Sequence, residues 1–279
     1  MTAYVVYDVF TDMPFGGNPL AVIPDGEGVK PDQLQKIATE FNFSETVFVF
    51  PPDDLRHTAK LRIFTPTMEI PFAGHPLIGT AVALQAFGFP EEAIFETGSG
   101  PISCRTDGAR ASFTTPTPLT RHAMPDPALV ARAVGVRPDD LCPNHPPVQA
   151  DVGLAFTFVH VKNRAVLSNA TADIGAMREA QARYPTPFDF ATYLYTMEGD
   201  EVHARMFAPL DNIPEDPATG SAAAALAALL RDETGIDRTL SIHQGEDMGR
   251  PSLIEATATA QGVTITGHAV QTMEGRLVL

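Results

Sequence analysis

Three ionisable side chains sit where solvated charge is not expected. Glu45 lies in the run Phe41-Asn42-Phe43-Ser44-Glu45-Thr46-Val47-Phe48, His75 in Gly74-His75-Pro76-Leu77-Ile78-Gly79-Thr80, and Asp216 in Asp216-Pro217-Ala218-Thr219-Gly220-Ser221. A carboxyl flanked by Phe41, Phe43 and Phe48 is expected to lose water, which raises its pKa toward the range of a general acid or base. Each residue also has a plain reading. Most glutamates at a strand start are solvated. An aspartate before a helix is usually a cap worth about 1 kcal/mol, and a histidine before a proline is ordinarily a surface or capping residue. Asn18, in Gly16-Gly17-Asn18-Pro19, suits a turn, with its amide a candidate to face a ligand.

What separates His75 and Asp216 from ordinary caps is that they occupy the same place in an internal repeat. Arg62-Ile63-Phe64-Thr65-Pro66 matches Arg205-Met206-Phe207-Ala208-Pro209, and Ile70-Pro71 matches Ile213-Pro214 at the same spacing. After a two-residue gap, His75-Pro76-Leu77-Ile78-Gly79-Thr80-Ala81 matches Asp216-Pro217-Ala218-Thr219-Gly220-Ser221-Ala222. Two copies indicate duplication of one αβ unit rather than a solenoid. Proline at a first helical position predicts that His75 and Asp216 are equivalent N-caps. The unpaired amides of both helix starts, near Gly79–Thr80 and Gly220–Ser221, then become candidates to hold an anion, with Gly74 and Gly220 allowing close backbone approach.

The elements that must position these groups are short. β-branched runs bounded by Gly, Pro, Asp or Asn recur throughout, including residues 4–9, 20–23, 46–50, 60–64, 165–167, 193–197, 203–207 and 240–244. Residues 31–41, 127–134 and 174–183 carry helical patterns. Two further helices, 75–87 and 219–230, lack a polar stripe wide enough to face water. They are too short to cross a bilayer, so strands must surround them. The expected fold is α+β: a curved sheet rolled around a buried helix, made twice. A proline-rich stretch from Thr115 to Pro147 places the boundary near residues 120–125. The expected domains are 1–120 and 121–268, with a last strand, about 269–279, a candidate to return to the first.

Composition narrows the partners. The chain has 279 residues and a formal net charge of −15, which disfavours nucleic acid and anionic membranes. An anionic ligand would need local donors. The two cysteines and the absence of a leader or spanning pattern suit a cytoplasmic protein. No metal-ligand spacing, nucleophile elbow, phosphate loop or dinucleotide fingerprint appears, so neither metal nor cofactor is expected.

Residues 8–23 (DVFTDMPFGGNPLAVI), 41–49 (FNFSETVFV), 64–81 (FTPTMEIPFAGHPLIGTA), 207–222 (FAPLDNIPEDPATGSA) and 244–252 (QGEDMGRPS) resemble, in order, the PhzF-like phenazine-biosynthesis family. The resemblance implies a diaminopimelate-epimerase-like fold: two pseudo-symmetric domains, each a mostly antiparallel sheet around a central helix, with the active site in the cleft between them. It implies a homodimer. It places the family's catalytic glutamate on Glu45, its histidine on His75, its aspartate on Asp216 and its small hydroxyl residue on Ser221. The implied activity is cofactor-free isomerisation of a small anionic metabolite by proton transfer. The related epimerases' cysteine pair is not available, since Cys104 and Cys142 lie outside the motifs. An epimerase or lyase using the same residues, and a silent metabolite-binding member, are the rival readings.

Overall fold

The structure is a computed structural model describing residues 2–115, 117–186 and 189–279. It divides into two compact units, Met1–Thr115 with Thr264–Leu279, and Pro116–Val263.

The first unit begins with β1 (Thr2–Val9), β2 (Asn18–Ile23), α1 (Leu34–Phe41), β3 (Glu45–Phe50), β4 (Ala59–Phe64) and the two-residue β5 (Glu69–Ile70). α2 (Gly74–Ala86), β6 (Glu92–Thr97), β7 (Gly100–Asp107) and β8 (Arg110–Thr115) follow. The second unit carries β9 (Thr120–Ala123), α3 (Pro127–Ala133), β10 (Val148–Asp151), β11 (Phe156–His160), α4 (Arg164–Asn169) and α5 (Ile174–Arg183). It continues with β12 (Thr192–Glu198), β13 (Glu201–Ala208), β14 (Ile213–Asp216), α6 (Gly220–Thr234), β15 (Arg238–Gln244) and β16 (Ser252–Thr259). β17 (Gly262–Leu277) returns to the first unit, where it pairs with both β1 and β8.

That return closes a ring in the order β1-β2-β3-β4-β6-β7-β8-β17. α2 packs against β1, β2, β3, β7 and β8, and every residue from Gly74 to Leu84 is buried. A helix that is apolar all round is thus wrapped by strands. The second unit has the ladder β9-β10-β11-β12-β13-β15-β16, with α6 against β10, β15 and β16. Each unit has two parallel pairings at matching places, β2–β3 and β4–β6 in one, β11–β12 and β13–β15 in the other.

Register sharpens the repeat to single residues. Phe64 pairs with Thr46 and its counterpart Phe207 with Thr192, so Thr46 corresponds to Thr192, Glu45 to Ala191 and Val47 to Tyr193. Likewise Lys60 pairs with Glu96 and His203 with His243, which makes Thr97 the counterpart of Gln244. The duplicated arginine keeps one arrangement in both copies. Arg62 forks onto Glu69 at 2.8 and 2.6 Å and lies over the Phe64 ring; Arg205 forks onto Glu215 at 2.7 and 2.8 Å and lies over Phe207. The carboxylates come from different positions of the two short strands.

Two expectations are corrected. Residues 165–167 are helical, inside α4: the Asn163 side chain accepts from Val166 N at 3.0 Å, and this cap overrides a short β-branched run. Nor are His75 and Asp216 N-caps. α2 is capped by Ala73 and starts at Gly74, so His75 and Pro76 lie inside its first turn; α6 is capped by Thr219, and Asp216 ends β14. Proline is tolerated anywhere in a first turn because those N–H groups have no intrahelical acceptor.

Candidate active site

In the first unit three side chains converge. Glu45 opens β3, Asn18 opens β2, and the parallel pairing of these strands sets Glu45 beside Leu20. α2 supplies His75 from its first turn. His75 Nδ1 lies 3.4 Å from Glu45 Oε2 and 3.4 Å from Asn18 Nδ2. Asn18 is fully buried and His75 is 3 % exposed, whereas the Glu45 side chain retains 13 %. Burial depresses the His75 pKa to about 3, so the ring is neutral at pH 7. By distance His75 and Glu45 look like an ion pair; by charge they are not one, because the imidazole is desolvated. Where the Asn18 amide N–H donates to Nδ1, the ring proton sits on Nε2. Nε2 is buried without a hydrogen-bond partner among the described residues, as is Thr80 Oγ1.

Asp216 in the second unit is also buried, at 4 % exposure. Its Oδ2 accepts the Thr219 hydroxyl at 2.6 Å, and its backbone oxygen accepts Gln244 Nε2 at 2.8 Å. Gly245 turns the chain beside it with φ +75°; a Cβ there would stand 2.7 Å from Pro217 O and 2.3 Å from Arg250 O. Only glycine lets that loop approach the Asp216-Pro217 segment so closely.

The first-turn amides fall at other residues than the sequence reading gave. Gly220 and Ser221 open α6, so their N–H groups belong to its unpaired first turn. In the other copy those positions belong to Gly74 and His75, whereas Gly79 and Thr80 lie deeper in α2, where amides bond to carbonyls four residues back. The Gly79 and Thr80 amides therefore cannot hold a ligand. Gly79 serves packing: a Cβ would stand 2.6 Å from Leu20 Cδ2 and 2.7 Å from Val9 Cγ2. Gln244 and Tyr193, both fully buried around Asp216, were not singled out from sequence. The signal was present, since Gln244 begins the block QGEDMGRPS.

Neither cysteine suits carbon-acid chemistry. Burial pushes the Cys104 thiol to about 12 and the Cys142 thiol above its usual value. Among the described residues no three His, Cys, Asp or Glu side chains converge to hold a metal ion, and no helix is long and apolar enough to cross a membrane.

The rolled mixed sheet around a helix, with a carboxyl and a neutral imidazole at the head of that helix, is a fold shared with solved racemases. The fold matches that of a protein described as a "probable proline racemase" of Agrobacterium radiobacter with TM-score 0.64 at 13 % identity, covering 100 % of this chain and 93 % of that one. Residues 7–275 match the model of the phenazine biosynthesis-like family, and the chain belongs to that family. It is 39 % identical over 300 residues to an uncharacterized isomerase of Mesorhizobium japonicum, covering 99 % of this chain and 98 % of the relative. It is 35 % identical over 295 residues to the trans-2,3-dihydro-3-hydroxyanthranilate isomerase of Pseudomonas aeruginosa, covering all of both chains. A PhzF-family protein of Bacillus anthracis superposes with TM-score 0.88 at 23 % identity, covering 100 % of this chain and 99 % of that one.

Proposed function

We propose that this isomerase works without metal or organic cofactor, with Glu45 carrying a proton between two carbons of a small carboxylate metabolite. The supporting observation is the Glu45 carboxyl, nearly desolvated and 3.4 Å from a histidine that burial keeps neutral. As a carboxylate, Glu45 takes the proton from an activated C–H, and the electron pair enters the adjacent unsaturated system. As the resulting acid it holds the proton beside the neutral His75 ring, then returns it to a second carbon, so that no net charge is gained or lost. His75 Nε2–H, buried and without an acceptor among the described residues, orients an oxygen of the substrate.

Asp216, the buried carboxyl of the second unit, is the further candidate for assisting proton movement. The first-turn amides of α2 offset the substrate's negative charge in a chain of net charge −15. The substrate class follows the Pseudomonas relative, whose named substrate carries a carboxylate. Cys104 stays a neutral thiol at working pH, which argues against a thiolate base.

The test uses trans-2,3-dihydro-3-hydroxyanthranilate in heavy water, following deuterium at the protonated carbon by mass spectrometry and NMR. A positioned acid/base contributes ~10²–10⁴-fold, so Glu45→Gln is expected to lose that factor in kcat while keeping its melting temperature. Normal turnover by Glu45→Gln would refute the role of Glu45. Inversion at a single carbon, with no double-bond shift, would establish an epimerase instead.

A further inference from the structure

Four buried side chains of the second unit form a hydrogen-bond chain with one possible direction. Gln244 is fully buried and uses all its bonding capacity: Oε1 accepts from Thr219 N at 3.2 Å and Tyr193 Oη at 3.0 Å, while Nε2 donates to Asp216 O at 2.8 Å and Thr219 Oγ1 at 2.9 Å. The amide cannot be flipped, because Thr219 N–H only donates and the Asp216 carbonyl only accepts. Thr219 Oγ1 already receives a hydrogen from Gln244, so its own O–H points to Asp216 Oδ2 at 2.6 Å. At the far end, burial pushes the Tyr193 phenol well above its usual pKa and keeps it a donor.

The other copy lacks this chain. The counterparts of Tyr193 and Thr219 are Val47 and Ile78, and the counterpart of Gln244 is Thr97, whose hydroxyl bonds locally to Gly100 O at 2.9 Å. The connected relay thus occurs only in the copy that has an aspartate where the other has His75. Burying polar groups is costly unless every one is paired, and here each member is.

We infer that Thr219 and Gln244 are positioning residues for Asp216, donating through a one-way relay from Tyr193 so that the carboxyl is held as an ionised acceptor of fixed orientation. The catalytic meaning of this relay rests on the proposed role of Asp216, but the relay itself does not.

Its test is an NMR titration of the Asp216 carboxyl in protein labelled with ¹³C-aspartate, the signal assigned by its loss in Asp216→Asn. A hydrogen bond to a charged acceptor shifts an equilibrium roughly tenfold or more, so Thr219→Val is expected to move the titration midpoint upward by about one pH unit. Thr219→Ser restores the hydroxyl and is expected to return the midpoint close to wild type. Tyr193→Phe removes only the first donor and is expected to produce a smaller upward shift, which keeps the inference testable if the valine variant fails to fold. Unchanged midpoints in folded Thr219→Val and Tyr193→Phe proteins would overturn it. Full turnover by Asp216→Asn, with the titration shifts intact, would instead remove Asp216 from the reaction while leaving the relay standing.

Discussion

The buried imidazole of His75 has a consequence for stability that needs no substrate. In the unfolded chain His75 titrates near the ordinary 6.5; in the folded protein burial depresses it to about 3. Between those values the unfolded state binds a proton that the folded state refuses, so stability falls as the pH falls. The sign is fixed by the depressed pKa: the contribution is intact above 6.5 and is lost progressively down to about 3. From pH 7 to pH 5 the linkage relation gives about 2 kcal/mol for this one group. His160 adds to the drop in the same direction, since burial and the neighbouring His145 charge lower it to about 4. The comparison is therefore between proteins. Wild type and His75→Asn are unfolded in urea at pH 7 and pH 5, followed by circular dichroism because the chain has no tryptophan. The fixed cost of the substitution cancels in each protein's own pH difference. Wild type is expected to lose about 2 kcal/mol more than the variant over that interval. Equal losses would mean that His75 is not held neutral, and the proposed pairing of Glu45 with an uncharged ring would fall with it.

Other expectations follow from the paired copies. Arg205 is 11 % exposed and donates to three backbone carbonyls, Leu167 O, Ser168 O and Ala170 O, besides forking onto Glu215. Arg205→Lys cannot reproduce that fan and is expected to cost about 2–3 kcal/mol, whereas Arg62→Lys at its more exposed counterpart is expected to stay within about 1 kcal/mol. Denaturant midpoints of the two variants decide this, and equal losses would refute the distinction. Gly79→Ala gains roughly 1 kcal/mol of helix propensity but drives a methyl into Leu20 and Val9, at a cost of about 1–3 kcal/mol. The variant is expected to melt at or below wild type; a clear rise in melting temperature would show that the α2 contact is looser than its distances.

The buried helices and the repeat were legible because both are matters of pattern. An all-apolar run must be wrapped, and matched blocks at fixed spacing declare duplication before any register is known. Local hydrogen bonding was harder to read. Where the two helices begin depends on backbone geometry around Ala73 and Thr219 that the shared Pro-x-x-Gly pattern does not encode, so equal spacing from proline hid unequal starts. The Glu45–His75–Asn18 cluster shows the same limit. Its members come from three elements, and sequence nominated each separately without showing that Asn18 grips the histidine. Gln244 and Tyr193 escaped notice because a buried glutamine or tyrosine inside a strand carries no pattern of its own; only the tertiary pairing of β13 with β15 and β12 brings them together.

Once register aligns the copies, their differences become more informative than their likeness. At the start of β3 one copy has Glu45 where the other has Ala191, and before the shared proline one has His75 where the other has Asp216. A scaffold duplicated for stability alone would be served by hydrocarbon at all these positions, as Val47 and Ile78 demonstrate. Thr46 and Thr192, by contrast, are equivalent, buried, and equally without a partner for Oγ1 among the described residues, which is what two copies look like where nothing distinguishes their tasks. The buried polar groups have therefore been divided. One copy sets a carboxyl beside a neutral imidazole, while the other gathers its buried polar groups around a single carboxyl.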